Sequence, residues 1–373
     1  MVTAAPPATT PLLEIRDLKT WFKLDEGTIK ALDGASFDVQ RGQTLCIVGE
    51  SGCGKSMTAR SILQIVQPPG KVVEGEMLFH RRNEVTGETA TIDLAKLEPK
   101  GKTIRSIRGK EIAMIFQEPM TSLSPIHTIG NQISENVLLH SGMTKAEARL
   151  HTIDMLKKVG IPRAEQRFDA YPFELSGGLR QRAMIAMALS NSPALLIADE
   201  PTTALDVTTQ AQIIELMQGL QDELGMAMIF ITHDLGVVAE IADEVAVMYL
   251  GQVVERGNVD QIFHEPKHPY TRALLKSIPR LGQASREPLD SIRGMVPDPY
   301  HRPTGCPFHT RCDFAMAGTC DRILPPTTNL GERRDVRCLL YEDAYLSTPQ
   351  SQRIHAIVDP VAEAQGASHG PTR

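Results

Sequence analysis

Short apolar runs alternate with helical patterns along most of the chain. Buried strands are predicted at Leu12–Ile15, Ala35–Val39, Thr44–Val48, Glu76–Phe79, Glu111–Phe116, Ala194–Ala198 and Ala227–Thr232. Helical patterns run from Thr128 to Ser190, with a capping box at Thr144–Glu147, and from Asp206 to about Leu224. This alternation indicates a mostly parallel α/β sheet, and ligands of such sheets bind beyond the carboxyl ends of the strands.

A glycine-rich loop follows the strand Thr44–Val48 and precedes a helix that begins near Thr58. The loop reads Gly49-Glu50-Ser51-Gly52-Cys53-Gly54-Lys55-Ser56. Its glycines let successive N–H groups point into one concavity, and the helix N-terminus adds positive potential. Lys55 would meet the β- and γ-phosphates, and Ser56 would offer its hydroxyl to Mg²⁺. An ordinary glycine turn is the alternative, but the complete motif between a strand and a helix predicts a nucleoside triphosphate site.

Polar side chains close three other predicted strands. Gln117 follows Phe116, Asp199 and Glu200 follow Ala198, and His233 follows Thr232. Asp199 fits the acid that reaches Mg²⁺, while Glu200 fits the group that positions or deprotonates water. Alone, this acidic pair would be a helix cap or surface charge, and a lone histidine is more often structural. Beside a phosphate loop, the same positions make Gln117 and His233 candidate sensors of the γ-phosphate or of water.

A second glycine motif, Ser176-Gly177-Gly178, immediately precedes the helical run Ala183–Leu189. Free N–H groups at a helix start suit an anion, although a glycine turn with a serine cap is a common alternative. Because the phosphate loop already holds the α- and β-phosphates, a second such helix start suggests a site completed by another subunit.

The overall composition is that of a soluble globular protein. The 373 residues are 42% hydrophobic and 23% charged, with a net charge of −6 and no strongly basic stripe, so we expect no nucleic-acid partner. No apolar run reaches the length of a membrane span, and the N-terminus lacks a signal-peptide pattern, which predicts a cytosolic address. Residues 1–11 are expected to form a disordered leader, and residues 346–373 a disordered tail.

Four of the six cysteines lie close together near the C-terminus, at Cys306, Cys312, Cys320 and Cys338. A cytosolic address argues against disulfides, so a metal site is the simplest explanation for four thiols in a loop-rich segment. The spacings of 5, 7 and 17 intervening residues match neither a Cys-x₂-Cys zinc pair nor common ferredoxin patterns. The residues alone therefore predict a four-cysteine site and leave its metal open.

Several of these motifs together resemble the ABC-type ATPases. Gly49–Ser56 resembles the Walker A loop, Leu175–Gly178 the signature, Leu195–Glu200 the Walker B strand and Ala204–Asp206 the D-loop, while Gln117 resembles the Q-loop and His233 the switch histidine. The resemblance implies a P-loop core with an antiparallel β subdomain and an α-helical subdomain at about residues 125–190. It also implies two subunits paired head to tail, with ATP between the P-loop of one and the signature of the other.

The resemblance further implies a role for each matching residue. ATP would contact Phe22 (with Trp21 as second candidate for stacking on adenine), Gly49, Glu50, Ser51, Gly52, Cys53, Gly54, Lys55, Ser56 and Met57. Mg²⁺ would be held by Ser56, Gln117 and Asp199, and catalysis would use Glu200, His233 and Gln117. The partner's ATP would contact Ser176, Gly177, Gly178, Gln181 and Asp206.

Three longer stretches are similar to the oligopeptide and dipeptide importer ATPases: Phe116–Pro125, Tyr171–Gly178 and His268–Leu275. The last opens a C-terminal extension, residues 261–345, after an ATPase domain at residues 12–260. The resemblance implies peptide import across the inner membrane, with this chain peripheral on the cytoplasmic face. Its partners would be a second, non-identical ATPase subunit, two permeases and an extracytoplasmic binding protein.

The similarity also implies a 4Fe–4S cluster on Cys306, Cys312, Cys320 and Cys338, with zinc as the alternative. Its expected role is structural, so its loss should loosen residues 290–340 and leave nucleotide binding intact. Import of nickel, glutathione or another small solute remains an alternative function. A soluble ABC ATPase acting on nucleic acid or ribosomes, or a nucleotide-binding module without turnover, is less consistent with the motifs.

Overall fold

The computed structural model describes residues 10–82, 89–117, 122–203, 205–277 and 292–356. Most of the predicted leader, Ala204, and residues 357–373 of the predicted tail lie outside these ranges, as do residues 118–121 of the Phe116–Pro125 stretch. The strands are β1 (Leu13–Leu24), β2 (Gly27–Val39), β3 (Thr44–Val48), β4 (Gly70–Arg82), β5 (Thr89–Asp93), β6 (Ile112–Ile115), β7 (Leu195–Asp199), β8 (Ala227–Ile231), β9 (Glu244–Tyr249), β10 (Gln252–Asn258), β11 (Thr328–Asn329) and β12 (Asp335–Val336). The helices are α1 (Lys55–Ile62), α2 (Lys102–Ile107), α3 (Ile129–Ser141), α4 (Lys145–Lys158), α5 (Ala164–Phe168), α6 (Gly177–Leu189), α7 (Val207–Leu224), α8 (Leu235–Ile241), α9 (Val259–His264), α10 (Pro269–Lys276) and α11 (Pro349–Ala356).

The predicted parallel sheet forms the centre of the molecule. Its strand order is β11-β12-β10-β9-β3-β8-β7-β6, and the five strands from β9 to β6 are parallel. Each residue of β3, β7 and β8 is buried, because a parallel sheet covered on both faces requires continuous apolar strands. The carboxyl ends of these strands meet at one edge, which brings the loops after Val48, Asp199 and Ile231 together.

A second, antiparallel sheet has the order β2-β1-β4-β5 and packs its apolar side chains against α1 and the parallel sheet. The strand predicted at Leu12–Ile15 continues as far as Leu24 and includes Trp21 and Phe22. Both lie within the long strand β1, where Trp21 pairs with Lys30 and Phe22 with Ile29 of β2. The turn comes later, where Leu24 pairs with Gly27.

Helices α3 to α6 lie within the stretch Thr128–Ser190, where the sequence shows helical patterns. Thr128 caps α3 by accepting a hydrogen bond from the Asn131 N–H. Thr144 and Glu147 form the predicted capping box at the start of α4, in which each side chain accepts from the other residue's N–H. These caps satisfy N–H groups that the helices leave without internal partners, and thereby define where each helix begins.

The predicted C-terminal extension adds two short strands to the central sheet instead of forming a separate layer. Strand β12 pairs with β10, and β11 pairs with β12. Arg333 of the extension bridges Asp38 of β2 and Glu244 of β9, and Arg256 of β10 bridges the same two carboxylates. Burial opposes ionisation of Asp38, but the two guanidinium groups outweigh it and lower its pKa to about 2. This network anchors the extension near the amino end of β9.

The predicted disordered tail is wrong for its first part. Helix α11 occupies Pro349–Ala356, and its Ile354 side chain is fully buried. The Ser351 hydroxyl donates to the Leu340 carbonyl over 2.7 Å. The polar composition concealed one apolar anchor, which was sufficient to dock a short helix. Among the helices of the described ranges, none is both long and apolar enough to cross a membrane.

Candidate functional site

The glycine-rich loop turns from β3 into α1 as the motif requires. Gly49 has φ 149°, and a Cβ there would lie 2.2 Å from the Met248 carbonyl oxygen. Gly54 is the N-cap of α1 with φ 107°, and a Cβ there would lie 2.7 Å from the Ala31 carbonyl oxygen. Only glycine fits both positions without moving the backbone. The loop therefore presents a helix N-terminus and its neighbouring N–H groups in one concave turn, the arrangement that binds phosphate.

Lys55 lies inside this turn rather than pointing into solvent. Its Nζ donates to the carbonyl oxygens of Gly49 over 2.8 Å and of Glu50 over 3.2 Å, and the residue is almost fully buried. Its aliphatic stem is therefore held by the loop while the ammonium group stays at the mouth of the anion site.

Ser56 and Asp199 meet beside Lys55. The Ser56 hydroxyl donates to Asp199 Oδ1 over 2.9 Å. Burial raises the pKa of Asp199, and the hydrogen bond from Ser56 partly opposes this shift. A hydroxyl oxygen and a carboxylate oxygen next to a phosphate site fit Mg²⁺, which prefers oxygen ligands together with substrate phosphates. These two residues would hold the ion, which would neutralise phosphate charge when bound.

Glu200 lies at the centre of a hydrogen-bonded group at the ends of β6, β7 and β8. The Gln117 amide donates to Glu200 Oε2 over 3.0 Å, and the Thr203 hydroxyl donates to the same oxygen over 3.0 Å. His233 Nδ1 lies 3.4 Å from Glu200 Oε1. Two donors therefore fix one carboxylate oxygen and leave the other directed toward an exposed imidazole. This arrangement suits a carboxylate that orients or deprotonates water.

The backbone at Glu200 is itself unusual. Its φ is 47°, a left-handed value that costs a residue with a Cβ on the order of 1–2 kcal/mol. The Glu200 N–H donates to the Ile231 carbonyl over 2.9 Å, which holds this conformation against β8. The strain places the side chain beyond the strand end rather than along it, and such strain is concentrated at functional sites.

The sequence thus predicted correctly which strand-end residues would lie close together, but it missed Thr203. Its hydroxyl holds the same carboxylate oxygen as Gln117. A signal was present, because Thr203 lies three residues after Glu200 in a tight turn. Gln117 was also predicted to hold Mg²⁺. In the structure its side-chain amide donates a hydrogen bond to Glu200.

Three of the residues predicted to contact ATP have side chains that contact other parts of the protein. Cys53 has a buried side chain in the apolar core, and burial raises the pKa of its thiol. Met57 packs its side chain against the same core. Glu50 directs its carboxylate to Arg311, and its N–H donates to the Tyr270 hydroxyl. The side chains of Cys53 and Met57 thus contribute to the core, while Glu50 connects the loop to the C-terminal extension.

The candidates for adenine stacking lie on β1. The Phe22 ring lies over Gly70, where an added Cβ would be 2.4 Å from the ring. The Trp21 ring lies beneath Lys30, whose Nζ is 4.7 Å from the ring centroid. Both residues are half-buried, so stacking on a purine stays a prediction for each of them.

The signature residues lie at an exposed start of α6. Ser176 and Gly177 are exposed, and the Ser176 hydroxyl accepts from the Leu179 N–H. Asp206 caps α7 by accepting from the Thr209 N–H, and the Thr209 methyl group lies beside Gly178. The signature and the D-loop aspartate thus begin neighbouring helices, and Asp206 is also exposed.

The prediction that Gln181 contacts a partner's ATP is wrong for this conformation. Its side chain is completely buried, and neither its Oε1 nor its Nε2 has a hydrogen-bond partner among the described residues. Gln181 lies farther along α6, where the helix is covered by the rest of the protein, whereas Gly177 at the helix start is exposed.

The four C-terminal cysteines occupy one loop-rich region that packs on the main core. Cys306, Cys320 and Cys338 are buried, and Cys312 is half-buried. Burial raises the pKa of all four thiols, and the other three cysteines raise the pKa of Cys338 further. In the described parts of the chain, no three His, Cys, Asp or Glu side chains are placed to hold a single metal ion.

Known proteins share both parts of this chain. Residues 32–203 match the ABC transporter family, and residues 254–320 match the C-terminal region of oligopeptide/dipeptide transporters. The oligopeptide transport ATP-binding protein OppD of Bacillus subtilis is 47% identical over 337 residues, which is 90% of each chain. The dipeptide transport ATP-binding protein DppD of the same organism is 47% identical over 332 residues, covering 89% of this chain and 95% of that protein.

A solved structure supports the same assignment. It is a dimeric, post-hydrolysis ATP-binding cassette bound to ADP and Pi, is 26% identical with a TM-score of 0.56, and covers 66% of this chain and 98% of its own. The two matched regions, the two relatives and the solved structure agree. The chain therefore belongs to the ABC transporter family, among its oligopeptide and dipeptide transport ATP-binding proteins.

Proposed function

We propose that this chain hydrolyses MgATP to power the import of peptides through a membrane transporter. The arrangement around Glu200 carries the proposal, because Gln117 and Thr203 hold one carboxylate oxygen while the other lies 3.4 Å from His233 Nδ1. These groups lie at the same sheet edge as the Ser56–Asp199 pair. They orient a proton-accepting oxygen where water would attack a γ-phosphate.

The proposed working unit contains a second, similar but non-identical ATPase subunit. The exposed starts of α6 and α7 support this part of the proposal, since Ser176, Gly177 and Asp206 offer anion-binding and capping groups toward solvent. The partner's P-loop would bring its ATP to these residues, and the partner's signature would close the site at Lys55. Two permeases and an extracytoplasmic binding protein complete the transporter, and this subunit is peripheral on the cytoplasmic face.

Peptides are the proposed cargo because OppD and DppD of Bacillus subtilis are named for oligopeptide and dipeptide transport. The match of residues 254–320 to the C-terminal region of such transporters supports the same class. Nickel, glutathione and other small solutes are the alternative cargoes, because cargo selection lies in the permeases and the binding protein.

Affinity purification from native membranes tests the proposed assembly. We expect two permeases and a second ATPase to purify with the wild-type chain, and uptake of a labelled peptide to require it. Uptake should be lost with Glu200→Gln, whereas expression of the transporter should not change. Recovery of ribosomes or DNA instead of permeases, or uptake of nickel or glutathione in place of peptides, would contradict the proposal.

We further propose that Cys306, Cys312, Cys320 and Cys338 hold a 4Fe–4S cluster. All four cysteines pack in one loop-rich region on the main core, which supports a common site. The Met316 N–H also donates to the Cys320 sulfur over 3.4 Å, a type of contact that stabilises cluster thiolates. Zinc is the alternative metal for the same four cysteines.

Anaerobic purification tests this second proposal. We expect about four iron atoms per chain and absorbance near ~400 nm, both lost when Cys306 and Cys320 are replaced by serine. Cys46→Ser is the matched control, because Cys46 lies in β3 and should leave the iron content unchanged. Protein that contains zinc and no iron would overturn the cluster.

A further inference from the structure

The C-terminal extension contacts the phosphate loop through one buried ion pair. Arg311 Nη1 donates to Glu50 Oε2 over 2.7 Å, and its Nη2 donates to Glu50 Oε1 over 2.9 Å. The Arg311 side chain is only 4% exposed, and its Nε donates to the Arg293 carbonyl over 3.0 Å. The guanidinium group is therefore held on both edges, and its planar geometry fixes the carboxylate of Glu50 in one orientation.

A second contact from the extension holds the backbone of the same residue. The Glu50 N–H donates to the hydroxyl of Tyr270, a fully buried residue of α10, over 2.8 Å. Tyr270 packs against Tyr249 and Phe308, with ring centroids 4.7 Å and 5.4 Å away. Rings packed in this way lose little further freedom, so the hydroxyl is a rigid acceptor. The extension thus holds both the side chain and the N–H of Glu50.

Glu50 in turn shapes the part of the loop that receives phosphate. Its carbonyl oxygen accepts from Lys55 Nζ over 3.2 Å and from the Cys53 N–H over 3.3 Å. A shift of Glu50 would therefore move the carbonyl that supports the Lys55 ammonium group. Its carboxylate also places a negative charge beside a site for a triphosphate, and only a paired cation prevents that charge from repelling the ligand.

We propose that Arg311 is a positioning residue for the nucleotide site, acting through Glu50, so that the C-terminal extension sets the affinity for MgATP. The guanidinium group neutralises Glu50 and pre-organises the loop, which lowers the cost of binding. This inference rests on the proposed ATPase function and deepens it. It also reverses the expectation that loosening residues 290–340 leaves nucleotide binding intact, because Arg311 is bonded directly to Cys312 in the chain.

The test measures the Kd for MgATP and the hydrolysis rate at saturating ATP in the full chain. Arg311→Met should raise the Kd about tenfold or more and leave the saturated rate within about threefold of wild type. The double variant Arg311→Met/Glu50→Gln should have a Kd no higher than that of Arg311→Met alone, because it also removes the unpaired carboxylate. Arg333→Met is the matched control, since Arg333 joins the extension to Asp38 and Glu244 away from the loop.

Arg333→Met should lower the thermal unfolding temperature without changing the Kd for MgATP. This result would separate an effect on the nucleotide site from an effect on overall stability. A Kd for Arg311→Met within twofold of wild type would overturn the inference. So would a double variant whose rise in Kd equals the product of the rises caused by Arg311→Met and by Glu50→Gln alone. If Arg311→Met does not fold, Arg311→Lys decides: lysine keeps the positive charge but loses the two-point contact with Glu50, so the Kd should rise severalfold above wild type. A Kd equal to that of wild type overturns the inference. Wild-type protein that fails to bind MgATP would instead refute the proposed function itself.

Discussion

Replacement of Glu200 by glutamine is expected to lower the rate of ATP hydrolysis by about 10²–10⁴-fold while MgATP binding is retained. Glutamine keeps the size of the side chain and still accepts hydrogen bonds from Gln117 and Thr203, but its amide cannot take a proton from water. Because ATP would persist between the two subunits, the variant should remain a closed dimer. Phosphate release and size-exclusion chromatography with MgATP measure the two effects.

Glu240→Gln is the matched control for this experiment. Glu240 is an exposed glutamate of α8, so the same chemical change there should leave hydrolysis and association unchanged. Hydrolysis by Glu200→Gln at the wild-type rate would refute the assignment of Glu200 as the base. Loss of nucleotide binding in Glu200→Gln would point to a structural role instead.

Replacement of Gly49 by alanine is expected to weaken MgATP binding by about 100-fold or more. The new Cβ would lie 2.2 Å from the Met248 carbonyl oxygen and 2.8 Å from the Cys53 sulfur, at a φ of 149°. To relieve the contact with the Met248 carbonyl, the backbone at the start of the loop must move. This movement takes the N–H groups out of their concave arrangement. Isothermal titration with MgATP reports the loss.

Gly142→Ala separates crowding from backbone strain. Gly142 ends α3 with a left-handed φ of 68°, but a Cβ there would meet no atom within 4 Å. This variant should lose about 1 kcal/mol of stability in urea unfolding and bind MgATP as wild type does. Equal nucleotide affinities of Gly49→Ala and Gly142→Ala would contradict the crowding argument.

The parts of the fold that were predictable are those encoded by contiguous residues. The apolar runs of β3, β7 and β8 marked the buried strands, and the Thr144–Glu147 capping box marked the start of α4, because each signal acts within one element. Only the first residues of β1 were predicted, because this twelve-residue strand mixes polar and aromatic residues and is stabilised by pairing with β2 and β4. Helix α11 was missed because Ile354, its buried anchor, stands alone in a polar segment.

Some residues of the site were predicted to lie close together and do so in the structure. Their positions follow from chain order and from the topology of the sheet. Gln117, Glu200 and His233 each end a parallel strand, so their proximity follows from the sheet alone. The burial of Gln181 could not be predicted from sheet topology, because it depends on how α6 packs against the helices around it. Glu50 belongs to the loop by sequence, but its partners Arg311 and Tyr270 lie more than two hundred residues later.

The sequence by itself predicted a phosphate loop, a metal-binding and a proton-accepting carboxylate, and a second anion-binding helix start, because local motifs specify backbone shape. Only the tertiary structure decided that the C-terminal extension joins the ATPase sheet and reaches back to hold Glu50. An ion pair between distant residues has no local signature, since its two members become neighbours only when the chain has folded. The loop at Gly49–Ser56 is therefore recognisable from eight residues, whereas its support depends on the whole fold.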